Sequence, residues 1–283
     1  MGKEFLVCID SDGCVFDTME VKHKECFCPA YINYFGLQAV SKYARDAWDF
    51  ANLYSKWRGV NRFPVLLKAL EVLSDRKEVL ERNFVTPELS SLRAYIAAGH
   101  PLNNAGLEAY VQAHPKDPEM ETILQWSYDV NKRIAELVRG VPPFPHVRES
   151  LQRLSPYADI VIVSATPTEA LRREWEEHGL LPLVAQICGQ ESGSKKEIIA
   201  SLKNQYAPDH VLMIGDAPGD RDAADANGVL YYPICPDQEA DSWSQFESVM
   251  EAFLKGCYEG DMETSYIRQF ESLLPAEPNW KRG

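Results

Sequence analysis

The apolar positions of this chain fall into two textures. Residues 5 to 9, FLVCI, run without a polar break and stop abruptly at Asp10. From about residue 18 to 142 the apolar positions recur at helical spacing, as in AYINYFGL, ARDAWDFANLYSKW, VLLKALEVL and ILQWSYDVNKRIAELV, which predicts helices and no strands. From about 143 to 235 short β-branched runs return, DIVIVSAT, LVAQICG, HVLMIGDA and GVLYYPI, with amphipathic helical patterns between them. Unbroken apolar strands alternating with helices predict a parallel sheet covered on both faces. FLVCI shares that texture, so it is expected in the same sheet. The fold class that follows is α/β, a doubly wound parallel-sheet core of residues 1–17 and 143–283, interrupted by an all-helical block of residues 18–142.

The punctuation agrees with this division. Gly140, Pro142, Pro143 and Pro145 in GVPPFPHV mark the return joint, and the outgoing joint lies near Asp17 and Thr18. The patterns SWSQFESVMEAFLKGCYEG and SYIRQFESLL predict helices packed on the core at the end of the chain. Composition limits what such a protein does. With 45% hydrophobic residues in 283, a core can be filled. A formal charge of -13 argues against nucleic acid or an anionic membrane as partner, and an anionic substrate must meet a local cation. The first residues lack the longer apolar stretch of a secretory signal, and no run reaches transmembrane length. Seven cysteines, an odd number with Cys8 inside a strand, point to reduced thiols and a cytoplasmic location.

In open parallel sheets, ligands sit beyond the carboxyl ends of strands, so the residues after each apolar run are read together. They are Asp10, Ser11, Asp12 and Gly13; Ser164, Ala165 and Thr166; Asp216 and Asp220 in GDAPGD; and Lys195 and Lys196 after GQESGS. Several carboxylates in one place repel unless a cation holds them. An oxygen-only donor set is hard and favours Mg2+, an ion commonly shared with a substrate phosphate. A lysine, a serine hydroxyl and a spare carboxylate complete a phosphoryl-transfer set.

Four stretches in order resemble the motifs of the haloacid dehalogenase (HAD) superfamily. They are DSDGCVFD at residues 10 to 17, Ser164 in VIVSAT, Lys195 opening KKEII, and GDAPGD at 215 to 220. The resemblance covers the Rossmann-like core closely and the helical block only as a type, a cap inserted between the first and second motifs. It implies that Asp10 attacks phosphorus and becomes an aspartyl phosphate. It also implies that Mg2+ is held by Asp10, the backbone carbonyl of Asp12, and Asp216, with Asp220 as a further ligand or orienting group. Asp12 would act as general acid and then general base, a role worth roughly 100 to 10,000-fold. Ser164 and Lys195 would hold phosphoryl oxygens, with Lys196 the alternative lysine, and Gly13 would permit the tight turn. An acid at position 12 resembles the phosphatases and phosphomutases and disfavours dehalogenation. WRGVNRF, residues 57 to 63, is similar to a substrate-reading loop of the sugar-phosphate mutases, which makes Arg58 and Arg62 candidates for substrate binding. Lys22 and Lys24 could also reach the mouth of the site.

Plainer readings compete at several positions. An EF-hand alignment of Gly13 puts Cys8 first and Met19 last and fails. GQESGSKK lacks the GK[ST] order of a phosphate loop. Asp17 reads as a helix cap, and His23, Cys26 and Cys28 lack a second ligand pair for zinc. Arg58 and Arg62 have an ordinary reading as cap-surface residues. The function expected is a Mg2+-dependent phosphatase acting on a small phosphorylated metabolite. A sugar phosphomutase using the same residues is the alternative, and a non-catalytic phospho-acceptor module the reading from another class.

Overall fold

The computed structural model describes residues 2–281. Two compact units emerge: one takes the chain through Met19 together with Gly140–Leu274, the other Glu20–Arg139 with the segment from Pro275 onward.

The first unit is α/β. Its five strands are β1 (Phe5–Ile9), β2 (Ala158–Val163), β3 (Gln186–Cys188), β4 (Val211–Gly215) and β5 (Leu230–Pro233). They form one parallel sheet in the order β3-β2-β1-β4-β5, with β1 at the centre. The unbroken apolar runs have a physical cause. Alternate residues of a strand point to opposite faces, and here both faces are covered. Val7, Ile9, Ile160, Ile162, Leu212 and Ile214 enter one core with Leu151, Trp175 and Phe246, from the helices Val147–Leu154, Thr168–Glu177 and Glu239–Leu254. Leu6, Cys8, Val161, Val163, Val211 and Met213 enter the other with Ile198, Ile199 and Ala224, from Lys195–Leu202 and Pro218–Asp225. The run LVAQIC yields only the three residues of β3, preceded by the 3-10 turn Leu181–Leu183. As an edge strand, β3 has a ladder partner on one side alone.

The second unit is helical. Cys28–Tyr34, Ser41–Asn52, Arg62–Ser74, Ser90–Ala97, Asn104–Ala113 and Pro118–Leu137 are its main α-helices, and Lys22–Phe27 forms a π-helical turn. Its core holds Trp48, Trp126, Tyr31 and Phe63 among Leu66, Leu70 and Leu73. Asn61, Asn103 and Asp117 each accept a backbone N–H with the side chain and so start three of the helices.

The end of the chain departs from the sequence expectation, which carried the core to residue 283. From Pro275 it packs with the helical unit instead. The Arg76 guanidinium lies 4.5 Å from the ring centre of Trp280, and Lys281 pairs with Asp75 at 2.7 Å. These contacts join residues about 200 positions apart, so no local pattern announces them.

All seven cysteines are free. Among the described residues no helix is long and apolar enough to cross a membrane.

Candidate active site

Three strand ends of the α/β unit build the site. Ile9 lies beside Ile162 in β2 and Ile214 in β4, so Asp10, Ser164 and Asp216 emerge within a residue of one another in register. The Asp10 N–H donates to the Ile214 carbonyl at 3.0 Å, extending the ladder to the point where the side chain leaves the sheet. Beyond it the chain turns sharply. Gly13 sits at φ 74°, a backbone conformation that costs a residue with a Cβ, and its N–H closes on the Phe16 carbonyl at 2.9 Å. Ser11, between the two acids, is fully buried and anchored from behind: Trp175 Nε1 donates to its Oγ at 3.0 Å, and that hydroxyl donates to Glu174 at 3.3 Å.

Asp10, Asp216 and Asp220 are all buried and offer carboxylate oxygens that lie within 4.8 Å of one another. Asp220 approaches because residue 215 is glycine. A Cβ on Gly215 would meet Asp220 Oδ2 at 2.3 Å, nearer than any real contact. The same Oδ2 accepts the Ala217 N–H at 3.0 Å, which fixes the carboxylate at the start of Pro218–Asp225.

Lys195 balances this charge. Its Nζ lies 2.6 Å from Asp10 Oδ2 and also pairs with Asp220 Oδ1. A capping box, with the Ser194 hydroxyl and Glu197 exchanging bonds, begins the helix at Lys195 and points that residue, not Lys196, at the acids. Lys196 is exposed and offers its carbonyl to Asn227 at 3.0 Å.

Burial pushes the Asp10 carboxyl up to about 6, Asp220 adds to the rise, and Lys195 limits it. Burial alone would lower the Lys195 ammonium, but Asp10 and Asp220 together hold it above its ordinary range. Cys14, buried in the same turn, has its thiol pushed up by burial and then by the three acids, so it stays protonated and unreactive.

Three carboxylates face one ammonium in a buried, oxygen-only setting. That donor set fits a hard divalent cation such as Mg2+. The Asp12 side chain stands outside this group: Thr18 donates to its Oδ1, and Thr166 donates to its Oδ2 at 2.8 Å. A metal contact through the backbone carbonyl of Asp12 is compatible with that arrangement.

The family model for haloacid dehalogenase-like hydrolases matches residues 72–232, more than half of the chain. The chain belongs to this family. The match takes in Ser164, Lys195, Asp216 and Asp220 and begins after Asp10 and Asp12. No curated protein matches the sequence. Among solved structures, this haloacid dehalogenase-like hydrolase is similar to a predicted phosphoglycolate phosphatase from Haemophilus somnus 129PT. Identity is 15%, with a TM-score of 0.54 over 88% of this chain and 99% of that one. It is also similar to a Bacteroides fragilis protein assigned provisionally to the haloacid dehalogenase-like hydrolases. There identity is 13% and the TM-score 0.52, over 85% of this chain and 93% of the other. Such likeness shows the fold.

The remaining candidates of this hydrolase lie in its helical unit. Arg58 is buried and donates to the Leu53 carbonyl at 3.0 Å. Arg62 Nη1 bonds Ser127 Oγ at 3.0 Å and Asn131 Oδ1 at 2.8 Å, and its guanidinium lies 5.0 Å from the Phe27 ring centre. Burial pushes the Arg62 pKa down to about 10. Lys24 pairs with Glu20, which also accepts from the Tyr54 hydroxyl. Asp17 is exposed and stands directly before the helix Thr18–Val21.

The sequence marks Thr18 only at a joint and Thr166 only among the residues past a strand end, and it assigns neither of them, nor Trp175, a role at the site. Only Thr166 carried a readable signal, a second hydroxyl just past a strand end in VIVSAT.

Proposed function

We propose that this protein is a Mg2+-dependent phosphatase that hydrolyses a small phosphomonoester through an aspartyl phosphate on Asp10. The observation carrying this reading is the meeting, at one sheet edge, of Asp10 with an ammonium at 2.6 Å and two further buried carboxylates. In this reading Asp10 attacks phosphorus with one carboxylate oxygen. Lys195 and Ser164 hold phosphoryl oxygens and offset the negative charge that would repel the incoming carboxylate. Asp12 gives a proton to the leaving alcohol and later takes one from the attacking water. Asp10, Asp216 and the Asp12 carbonyl would hold Mg2+, with Asp220 as ligand or orienting group. When bound, the ion supplies charge neutralisation at the phosphoryl group.

The same reading includes a cytoplasmic location, supported by seven unpaired thiols, and leaving-group contacts from Arg58 and Arg62. The test is a panel of sugar, nucleotide and amino-acid-derived monophosphates together with phosphoglycolate, assayed for inorganic phosphate with Mg2+ and with chelator. Turnover of at least one member by the wild type, lost with chelator and in Asp10→Asn, is expected. Isomerisation of a sugar phosphate without phosphate release would replace hydrolysis by mutase chemistry. Equal turnover in both proteins would overturn the nucleophile.

A further inference from the structure

We infer that Thr166 is a positioning residue for proton transfer, fixing the acid/base Asp12 in place relative to Ser164; the inference rests on the phosphatase reading above. Three bonds converge on this one residue. Its Oγ1 donates to Asp12 Oδ2 at 2.8 Å, its N–H donates to Ser164 Oγ at 3.2 Å, and its carbonyl accepts from the Gln190 N–H at 3.0 Å. The third bond ties the backbone after β2 to the segment after β3.

Each bond has a consequence for the chemistry. A serine hydroxyl has one proton to give and lone pairs to receive with. Because Ser164 Oγ receives from Thr166, its own proton is directed away from that neighbour and stays available for an acceptor such as a phosphoryl oxygen. At Asp12 the two oxygens are divided, Thr18 holding Oδ1 and Thr166 holding Oδ2. With both bonds present the carboxylate has one orientation. Without the Thr166 bond, Oδ2 loses the hydroxyl that holds it, and the oxygen that must face the leaving group is less firmly fixed. Threonine suits the task, since its β-branch restricts χ1 and holds the hydroxyl in line. One residue thus sets the separation between a phosphoryl-oxygen donor and the proton donor, a geometry to which rates are sensitive at the ångström level.

The step at stake is leaving-group protonation. As the P–O bond to the leaving group breaks, its electron pair goes to that oxygen, which takes the Asp12 proton, while Asp10 forms the new bond to phosphorus. A basic leaving group needs the proton and a weakly basic one does not. Thr166→Val, with Thr166→Ala alongside in case the extra methyl disturbs folding, is therefore compared with wild type on phenyl phosphate and on p-nitrophenyl phosphate, whose nitrophenolate is far less basic. Loss of one hydrogen bond to a charged group predicts a kcat/KM about 10- to 100-fold lower on phenyl phosphate, with p-nitrophenyl phosphate changed less than about twofold. Thr166→Ser is expected to restore both. Equal losses on the two substrates would assign Thr166 to phosphate binding or to stability, and no loss on either would make the bond idle; both overturn the inference. Wild-type turnover of no monoester in Mg2+, neither these two nor any member of the panel above, would remove the phosphatase reading and this inference with it, whereas wild-type turnover of the pair without the split removes this inference alone.

Discussion

Replacing Asp10 by asparagine should make the metal-free protein more stable, not less, at alkaline pH. Burial and Asp220 push the Asp10 carboxyl up to about 6, against about 3.9 in an unfolded chain. A group whose folded pKa is raised contributes stability that is fully present below about pH 4 and lost as pH rises through about 6. About two units correspond to a cost of about 3 kcal/mol, and the partner Lys195 is shared with Asp220, so about 1 to 3 kcal/mol is the working range. The asparagine side chain has no charge to bury and escapes the cost. In chelator at pH 8, thermal unfolding of Asp10→Asn should lie several degrees above wild type, at about 2–4 °C per kcal/mol for a chain of this size. At pH 4 the two should coincide. Mg2+ should then reverse the order, because the ionised acids bind it and a ligand at 100 times its Kd adds about 2.7 kcal/mol. A variant no more stable than wild type at pH 8 in chelator would refute the reasoning, as would an equal response of both proteins to Mg2+.

Three further outcomes follow from single side chains. Gly215→Ala places a Cβ 2.3 Å from Asp220 Oδ2, so Asp220 must move; phosphate release should fall about 100-fold or more if a transition-state charge contact is lost, with Mg2+ binding by calorimetry weakened in parallel. Ser194→Ala removes the capping hydroxyl of the helix that presents Lys195 and should cost about 1 kcal/mol in urea unfolding, with a lower kcat/KM through a frayed Lys195. Arg62→Gln breaks bonds to Ser127 and Asn131. A raised KM at unchanged unfolding midpoint would give Arg62 to the substrate, and a lowered midpoint with unchanged KM would give it to packing.

What the chain made legible depended on whether a residue's task is local. FLVCI, DIVIV and VLMIG read as central parallel strands because both faces of each are buried, a requirement that erases the polar alternation of ordinary strands. Asp10, Asp216 and Lys195 read as partners because each follows an element end and one sheet edge collects them. The pairing of the final segment with Arg76 and Asp75 was not legible, since a tryptophan and a lysine near a terminus carry no periodicity. The hold on Asp12 was hidden for a different reason. Threonine at a helix start or after a strand has a common local use, so nothing marks the bond of Thr18 back across the turn to Asp12, and the long-range bond of Thr166 becomes visible only when the strands are assembled. Arg62 shows the reverse. A short resemblance marked it for substrate, while its Nη1 bonds lie within the helical unit.

The central claim is that Asp10 carries the phosphoryl group during turnover. The most direct measurement mixes the protein with Mg2+ and a 32P-labelled monoester from the panel, quenches in acid within the first turnover, and maps the label by peptide mass spectrometry. The account predicts an acid-stable, alkali-labile acyl phosphate on Asp10, absent from Asp10→Asn. Label on Ser164, or turnover that proceeds with no protein-bound phosphate, would contradict it.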